Sequence, residues 1–168
     1  GYFPLNWIEK RYCKGDYFLG AHPDIKIPGV EVTTGSLGHG LGLSAGISLG
    51  NKLDSNDNLQ YVLLGDGECT EGAVWEAAIF SAKMELNNLV TIIDRNHKIV
   101  LGTTEENTSL EPFSDKWLSF GWNVTVVDGH NIVELIDALK KVKYSKTKKP
   151  SVIIAETIKG KGISFLEE

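Results

Sequence analysis

The sequence predicts an α/β fold of the doubly wound class, with a mostly parallel sheet and helices on both faces. Two observations carry this prediction. Four short runs of aliphatic and β-branched residues are continuous rather than alternating in polarity, which is typical of strands buried on both faces of a parallel sheet. Stretches with helical spacing lie between them. The runs are YVLL (61–64), LVTIID (89–94), NVTVVD (123–128) and SVIIAE (151–156).

Helices are expected, in chain order, at residues 5–13, about 37–52, 70–86 and 131–144. The second is rich in glycine, and an irregular stretch with several Pro and Gly residues precedes it. The third has apolar residues at helical spacing. The fourth opens with Asn131 and has Glu134 three positions later, which resembles a capping box. We expect residues 1–168 to form one domain that is incomplete at both ends, since the chain does not begin with Met.

Composition excludes several classes of function. The chain has 168 residues, of which 42% are hydrophobic, so it can bury one substantial core. A formal net charge of −5 argues against nucleic-acid binding and against a basic membrane-binding patch. The late lysine-rich run, KKVKYSKTKK (140–149), is expected to be the solvated end of a helix.

Cysteine usage points to a reducing, cytoplasmic location. The two cysteines, Cys13 and Cys69, are too few for a disulfide framework and their spacing fits no zinc motif. No apolar run approaches the ~18 residues of a membrane span, and no signal peptide is recognisable. We therefore expect no membrane partner.

Polar residues follow two of the predicted strands directly. Asp66 lies in GDGE (65–68) after the first strand, and Asn96 lies in DRNHK (94–98) after the second, 30 positions later. Ligands of open α/β sheets bind beyond the carboxyl ends of the strands, and carboxylate and amide oxygens suit Mg²⁺ with phosphate. Gly65 and Gly67 would let backbone N–H groups approach that phosphate. An ordinary turn at the GDG and an ordinary Asn cap remain open at this point.

This arrangement resembles the thiamine diphosphate motif, and the surrounding residues resemble transketolase. The matching segments are 21–42, 65–78, 87–96, 120–131 and 156–165, in order along nearly the whole chain. GYFP (1–4) and LEPFSDKW (110–117) are more similar to the separately encoded amino-terminal half of split transketolases. The resemblance implies a thiamine diphosphate-binding fold, with Mg²⁺ or a substituting Ca²⁺ or Mn²⁺, in a homodimer or heterotetramer with a pyrimidine-binding half.

The resemblance also implies roles for individual residues. Asp66, the side chain of Asn96 and the carbonyl of Lys98 would bind the metal, and His22 would contact the donor sugar. A glutamate of a second domain would complete the active site, so we expect this polypeptide to be inactive alone. The remaining implied contacts are Gly67 and Glu68 on the diphosphate, Leu37, Val100 and Ile158 on the thiazolium ring, Gly35 near the aminopyrimidine, and Glu71 and Glu76 at the dimer interface.

Simpler interpretations stand beside these roles. His22 could be an ordinary loop histidine, and Glu71 and Glu76 could be solvated helical charges. We expect Cys69 to be a small buried filler, and we assign no catalytic role to His97 or His130.

The implied activity is transfer of a two-carbon ketol unit from a ketose phosphate to an aldose. Two alternatives stand: another thiamine-dependent enzyme, of the 2-oxo acid dehydrogenase α-subunit or deoxyxylulose phosphate synthase type, and a non-catalytic partner subunit. HPD (22–24), PGVEVTTG (28–35) and WEAA (75–78) favour transketolase. His39 and Ser36 stand where many members carry Gln and Pro, which leaves the donor and acceptor sugars open.

Overall fold

The computed structural model describes residues 1–11 and 19–167. Two compact units divide the chain, Gly1–Leu37 and Gly38–Glu168, and each is described by itself. The expectation of a single domain stays a prediction.

The first unit contains one described helix, α1 (Asn6–Arg11). The predicted end of this helix at Cys13 lies outside the described residues. The irregular stretch that follows is ordered by local hydrogen bonds, in which Thr34 N–H donates to the Pro23 carbonyl at 3.2 Å and Ile25 N–H to Thr33 Oγ1 at 3.2 Å.

The second unit contains a four-stranded, wholly parallel sheet. Its strands are β1 (Gln60–Gly65), β2 (Leu89–Arg95), β5 (Asn123–Asp128) and β6 (Ser151–Glu156), in the order β1-β2-β6-β5. A separate antiparallel hairpin consists of β3 (Lys98–Ile99) and β4 (Gly102–Thr103). Its helices are α2 (His39–Leu53), α3 (Gly72–Lys83), α4 (Thr104–Asn107), α5 (Phe113–Ser119) and α6 (Ile132–Lys143), with a 3-10 helix at Gly67–Thr70.

The two faces of the sheet bury two separate apolar clusters, and β6 shows why. Val152 and Ile154 pack into the larger cluster with α2, α3 and α5, whereas Ile153 and Ala155 pack against α6 on the opposite face. Helices therefore cover both faces, which confirms the predicted fold class. Because β6 is central, every one of its apolar side chains has a face to bury.

Burial on both faces holds for the central strands but not for the edges. β1 is an edge strand, and its Leu63 is 69% exposed. The outer strand β5 likewise exposes Val126. A continuously apolar run thus predicted the strands correctly, whereas the sheet order decided which of them are covered.

Helix boundaries follow recognisable end signals. Asn131 is the N-cap of α6, and its side-chain oxygen accepts from the backbone N–H groups of Val133 and Glu134 at 3.1 and 3.3 Å. This confirms the capping signal. The predicted 70–86 helix begins later, at Gly72, because the residues before it form the 3-10 helix. Within the described residues, no helix is long and apolar enough to cross a membrane.

Candidate active site at the carboxyl edge of the sheet

Asp66 lies immediately beyond the carboxyl end of β1, beside the end of β2. Gly65 pairs with Asp94 in the sheet, and Asp66 N–H donates to the Asp94 carbonyl at 3.1 Å. The parallel pairing of β1 with β2 therefore brings the GDG and DRNHK segments to the same edge, as the sequence predicts.

The Asp66 carboxylate is buried, with 1% of the residue exposed, and is held by hydrogen bonds at both oxygens. Oδ1 accepts from Gly67 N–H at 2.7 Å, and Oδ2 accepts from His97 N–H at 2.6 Å and from Arg95 Nη1 at 3.0 Å. Bonds to backbone N–H groups and to a guanidinium stabilise the charged carboxylate and fix its orientation. Asp66 is thus a rigidly held anion at the ligand-binding edge.

The hairpin β3–β4 lies against the GDG turn. A Cβ at position 67 would lie 2.8 Å from Ile99 Cγ2 and 3.6 Å from the Lys98 carbonyl oxygen. Gly67 therefore permits the close approach of the segment that carries Lys98. Asn96 Oδ1 accepts from Lys98 N–H at 3.0 Å, and His97 adopts a left-handed conformation with φ of 61°, so the chain turns sharply between them.

These residues fit a magnesium site. The candidate donors are one carboxylate, one amide oxygen and one backbone carbonyl, which together with diphosphate oxygens form the hard oxygen set that Mg²⁺ prefers. No group of three His, Cys, Asp or Glu side chains able to hold a metal occurs among residues 1–11 and 19–167. A small protein donor set is normal for Mg²⁺, which usually takes one or two carboxylates and leaves the remaining positions to phosphate and water.

Glu68 fastens the start of α2 to the GDG turn. Its Oε1 accepts from Gly38 N–H at 2.8 Å and its Oε2 from Gly65 N–H at 3.3 Å. Gly38 has a φ of 81°, and a Cβ there would lie 2.7 Å from Glu71 Cβ, so glycine is required. The sequence pointed only to the backbone of Glu68, and this structural role of its side chain was missed.

The predicted thiazolium contacts of the second unit are accessible. Val100, at the tip of the hairpin, is 97% exposed, and Ile158 is partly exposed beyond the end of β6. Ile158 is positioned by its N–H, which donates to His130 Nε2 at 2.8 Å. His130 therefore has a positioning contact that the sequence did not indicate.

Gly35, His22 and Leu37 belong to the unit Gly1–Leu37. A Cβ at position 35 would lie 3.0 Å from His22 Cγ, so the chain brings Gly35 and His22 together, and the φ of Gly35 is 139°. Leu37 is exposed. The roles of these three residues, and those of the exposed Glu71 and Glu76 on the second unit, stay predictions.

The buried thiol of Cys69 has no nucleophilic character. Burial, followed by the nearby charges of Glu68 and Asp66, raises the pKa of Cys69 well above its ordinary value. Its Sγ–H donates to the Gly65 carbonyl at 3.5 Å. This confirms the expectation of a buried filler next to the motif.

Arg95, the last residue of β2, is the principal side chain that the sequence did not single out. It is 1% exposed and bonds to Asp66, Thr104, Glu105 and Glu111. Burial opposes its charge, but the hydrogen bonds to Glu111 and Asp66 outweigh that effect and raise its pKa. A charged residue in a strand predicted to be buried was the available signal, since such a charge needs partners.

Comparison with known proteins places this geometry in a family. The family model described as "Transketolase, thiamine diphosphate binding domain" matches residues 18–167. A polypeptide of the two-part apulose-4-phosphate transketolase of Phocaeicola vulgatus is 46% identical over 149 residues, which are 89% of this chain and 53% of that protein. The 6-deoxy-6-sulfo-D-fructose transketolase subunit SqwG of a Clostridium species is 41% identical over 168 residues, 99% of this chain and 60% of that protein.

A solved structure agrees. The crystal structure of transketolase from Campylobacter jejuni superposes with a TM-score of 0.78 and 30% sequence identity, over 83% of this chain and 23% of that one. The chain thus spans between half and two thirds of the length of these curated relatives. Since the family model covers most of the sequence and the Asp66 edge has the expected geometry, the chain belongs to the transketolase family, within its thiamine diphosphate-binding domain.

Proposed function

We propose that this chain is the diphosphate-binding part of a transketolase that transfers a two-carbon ketol unit from a ketose phosphate to an aldose acceptor. The observation that carries the proposal is the buried, doubly anchored Asp66 carboxylate at the carboxyl edge of β1, beside Asn96 and the Lys98 carbonyl. An ordinary turn does not require a buried carboxylate held by three donors.

Asp66, Asn96 Oδ1 and the Lys98 carbonyl would hold Mg²⁺, for which Ca²⁺ or Mn²⁺ can substitute, and through it the diphosphate of the cofactor. When bound, thiamine diphosphate supplies a nucleophilic carbon that breaks and forms carbon–carbon bonds beside a carbonyl. The protein's part is to place and shield it: exposed Val100 and Ile158, with Leu37, would pack on the thiazolium ring, and Gly35 would lie near the aminopyrimidine.

The diphosphate would also meet backbone N–H groups of the GDG turn. Gly67 N–H donates to Asp66 Oδ1 in this structure, so its contribution to the diphosphate is shared with the metal ligand. The carboxylate of Glu68 is engaged with Gly38 and Gly65, which leaves only its backbone for the predicted contact.

His22 would contact the donor ketose. An imidazole titrates near neutrality, so it can donate to a developing oxyanion or move a proton. Its proximity to Gly35, the residue expected near the aminopyrimidine, supports this assignment.

The proposed active form is an assembly. Both relatives described above are named as subunits of transketolases, which favours a partner that supplies the pyrimidine-binding half. We propose a homodimer or heterotetramer in which Glu71 and Glu76, both exposed, face the neighbouring half. A cytoplasmic location is favoured by the reduced thiol of Cys69.

The reaction class is tested by supplying substrates to the full-length protein together with its partner polypeptide, thiamine diphosphate and Mg²⁺. We expect a ketose phosphate to be consumed in proportion to an added aldose acceptor, and no CO₂ to be released from pyruvate. Release of CO₂ would favour a 2-oxo acid enzyme. An assembly that binds the cofactor but turns over neither substrate would identify a non-catalytic polypeptide, and Asp66→Ala serves as the inactive control.

A further inference from the structure

Arg95 forms the centre of a buried charge network directly behind the candidate metal ligand. Its Nη1 donates to Asp66 Oδ2 at 3.0 Å and to Thr104 Oγ1 at 2.9 Å, and its Nη2 donates to Glu111 Oε1 at 2.7 Å. Glu105 Oε1 lies 3.5 Å from the same Nη2. The guanidinium carbon lies 5.2 Å from the centroid of the Phe113 ring, which covers one face of the charge.

One end of this network fixes the orientation of Asp66. Arg95 and the His97 N–H both donate to Oδ2, while Gly67 N–H donates to Oδ1. A carboxylate with directional donors at both oxygens has little freedom to rotate, and the remaining lone pairs face a defined direction. The guanidinium fork supplies the one side-chain donor among these three.

The other end holds the segment that leads from the hairpin to α5. Glu111 Oε2 accepts from Phe113 N–H at 2.8 Å, and Glu105 Oε1 accepts from Leu110 N–H at 3.1 Å. Thr104 N–H donates to the His97 carbonyl at 3.0 Å. The segment bound to Arg95 is therefore tied to the turn from which the Lys98 carbonyl projects.

The charges of the network do not balance. One guanidinium is surrounded by the carboxylates of Asp66, Glu105 and Glu111, so the cluster has two negative charges in excess. A bound divalent cation would neutralise that excess. Stability alone is a weak reason for such a cluster, because an apolar residue of similar volume usually serves a buried position as well as an ion pair.

We propose that Arg95 is a positioning residue for metal binding, which orients Asp66 and, through Glu105 and Glu111, fixes the hairpin that carries Lys98. The inference rests on the proposed function, since it assumes that Asp66 binds the metal. Residues that orient metal ligands typically alter metal affinity by about 10- to 100-fold when they are replaced. Lysine cannot reproduce the planar fork, so Arg95→Lys keeps the charge but loses the geometry.

Metal preference separates positioning from simple destabilisation. Mg²⁺ demands near-ideal octahedral geometry, whereas Ca²⁺ tolerates flexible, irregular ligand sets. In the full-length protein with its partner polypeptide and saturating thiamine diphosphate, we expect Arg95→Lys to weaken Mg²⁺ binding by about tenfold or more. Ca²⁺ binding should fall by no more than about threefold. Both affinities are measured by titration, and circular dichroism checks the fold.

Glu106→Gln is the matched control. Glu106 neighbours Glu105, but its carboxylate caps α4 by accepting from Thr103 N–H at 3.1 Å and Thr103 Oγ1 at 2.8 Å. This variant should loosen α4 while leaving the ratio of the Mg²⁺ and Ca²⁺ affinities unchanged. If Arg95→Lys does not fold, Glu111→Gln removes one arm of the network and should shift the ratio in the same direction by about threefold.

The outcomes distinguish the inference from the function on which it rests. Wild-type affinity for Mg²⁺ in a folded Arg95→Lys protein, or an equal loss of Mg²⁺ and Ca²⁺ binding, overturns the positioning role and leaves the proposed function standing. An unchanged ratio in Glu111→Gln overturns it equally. Failure of the wild-type protein to bind thiamine diphosphate with either metal overturns the proposed function, and the inference with it.

Discussion

Asp66 shows how a single buried charge is made tolerable. A carboxylate taken out of water costs free energy unless hydrogen bonds replace its hydration, and three donors do so here. Two of these donors are backbone N–H groups, which no substitution elsewhere removes. The third is Arg95, whose own burial is offset by acidic partners.

Glu111 provides a pH test of this network at the level of one residue. The Phe113 N–H and the Arg95 guanidinium stabilise its charged form and lower its pKa below the ordinary value of 4.5. A group whose pKa is lower in the folded protein stabilises the fold above its unfolded pKa, and that stabilisation is lost as pH falls through the folded value.

We therefore expect Glu111→Gln to reduce the free energy of unfolding at pH 6 to 7 by about 0.5–1 kcal/mol, a small value because this side chain is half exposed and screened by solvent. The difference from wild type should shrink as pH falls below 4.5. Urea unfolding at a series of pH values measures it. A difference that does not change with pH would contradict the assigned charge.

Asp66 and Asn96 could be predicted from the sequence because both directly follow recognisable strands, and parallel strands bring their carboxyl ends together. Arg95 could not be assigned its role. Its partners Glu105 and Glu111 lie in a segment without hydrophobic periodicity, so nothing in the sequence shows that this segment folds back over the guanidinium.

Among the elements, those with long or continuous apolar patterns could be predicted, and the short ones could not. The hairpin strands β3 and β4 have two residues each, and α5 has seven, which is too few to establish a period. A usable signal was present in α5, since Phe113 and Trp117 are four positions apart and both are buried.

The aromatic packing of α5 against α3 and β5 provides a matched pair of substitutions. Trp122 Nε1 donates to the Ala78 carbonyl at 3.0 Å, whereas Trp117 Nε1 is buried without an acceptor among the described residues. The two rings are in contact, with centroids 5.0 Å apart. Replacement by Phe removes a similar volume from each, but only Trp122→Phe removes a hydrogen bond.

We expect Trp122→Phe to lower the free energy of unfolding by about 1 kcal/mol more than Trp117→Phe does, because removal of an unpaired buried N–H recovers part of its desolvation cost. Chemical denaturation of both variants provides the comparison. An equal or larger loss for Trp117→Phe would show that its indole N–H has a bonding partner.

At the scale of the whole molecule, the fold class followed from the sequence, whereas the arrangement of the strands did not. Continuous apolar runs show that strands are present, but they do not specify that β6 lies between β2 and β5. That order decides where the carboxyl ends converge. It places Asp66, the β2 end and the Ile158 segment along one edge of the sheet, which is the edge on which the proposed cofactor site depends.

The central claim is that this edge binds thiamine diphosphate through a metal held by Asp66. Its most direct test is calorimetric titration of thiamine diphosphate into the full-length protein with its partner polypeptide, with Mg²⁺ and with a chelator. We expect binding to the wild type only when Mg²⁺ is present, and no measurable binding to Asp66→Ala, because the variant lacks a direct ligand and leaves diphosphate charge uncompensated. Equal affinity of Asp66→Ala and wild type would contradict the account.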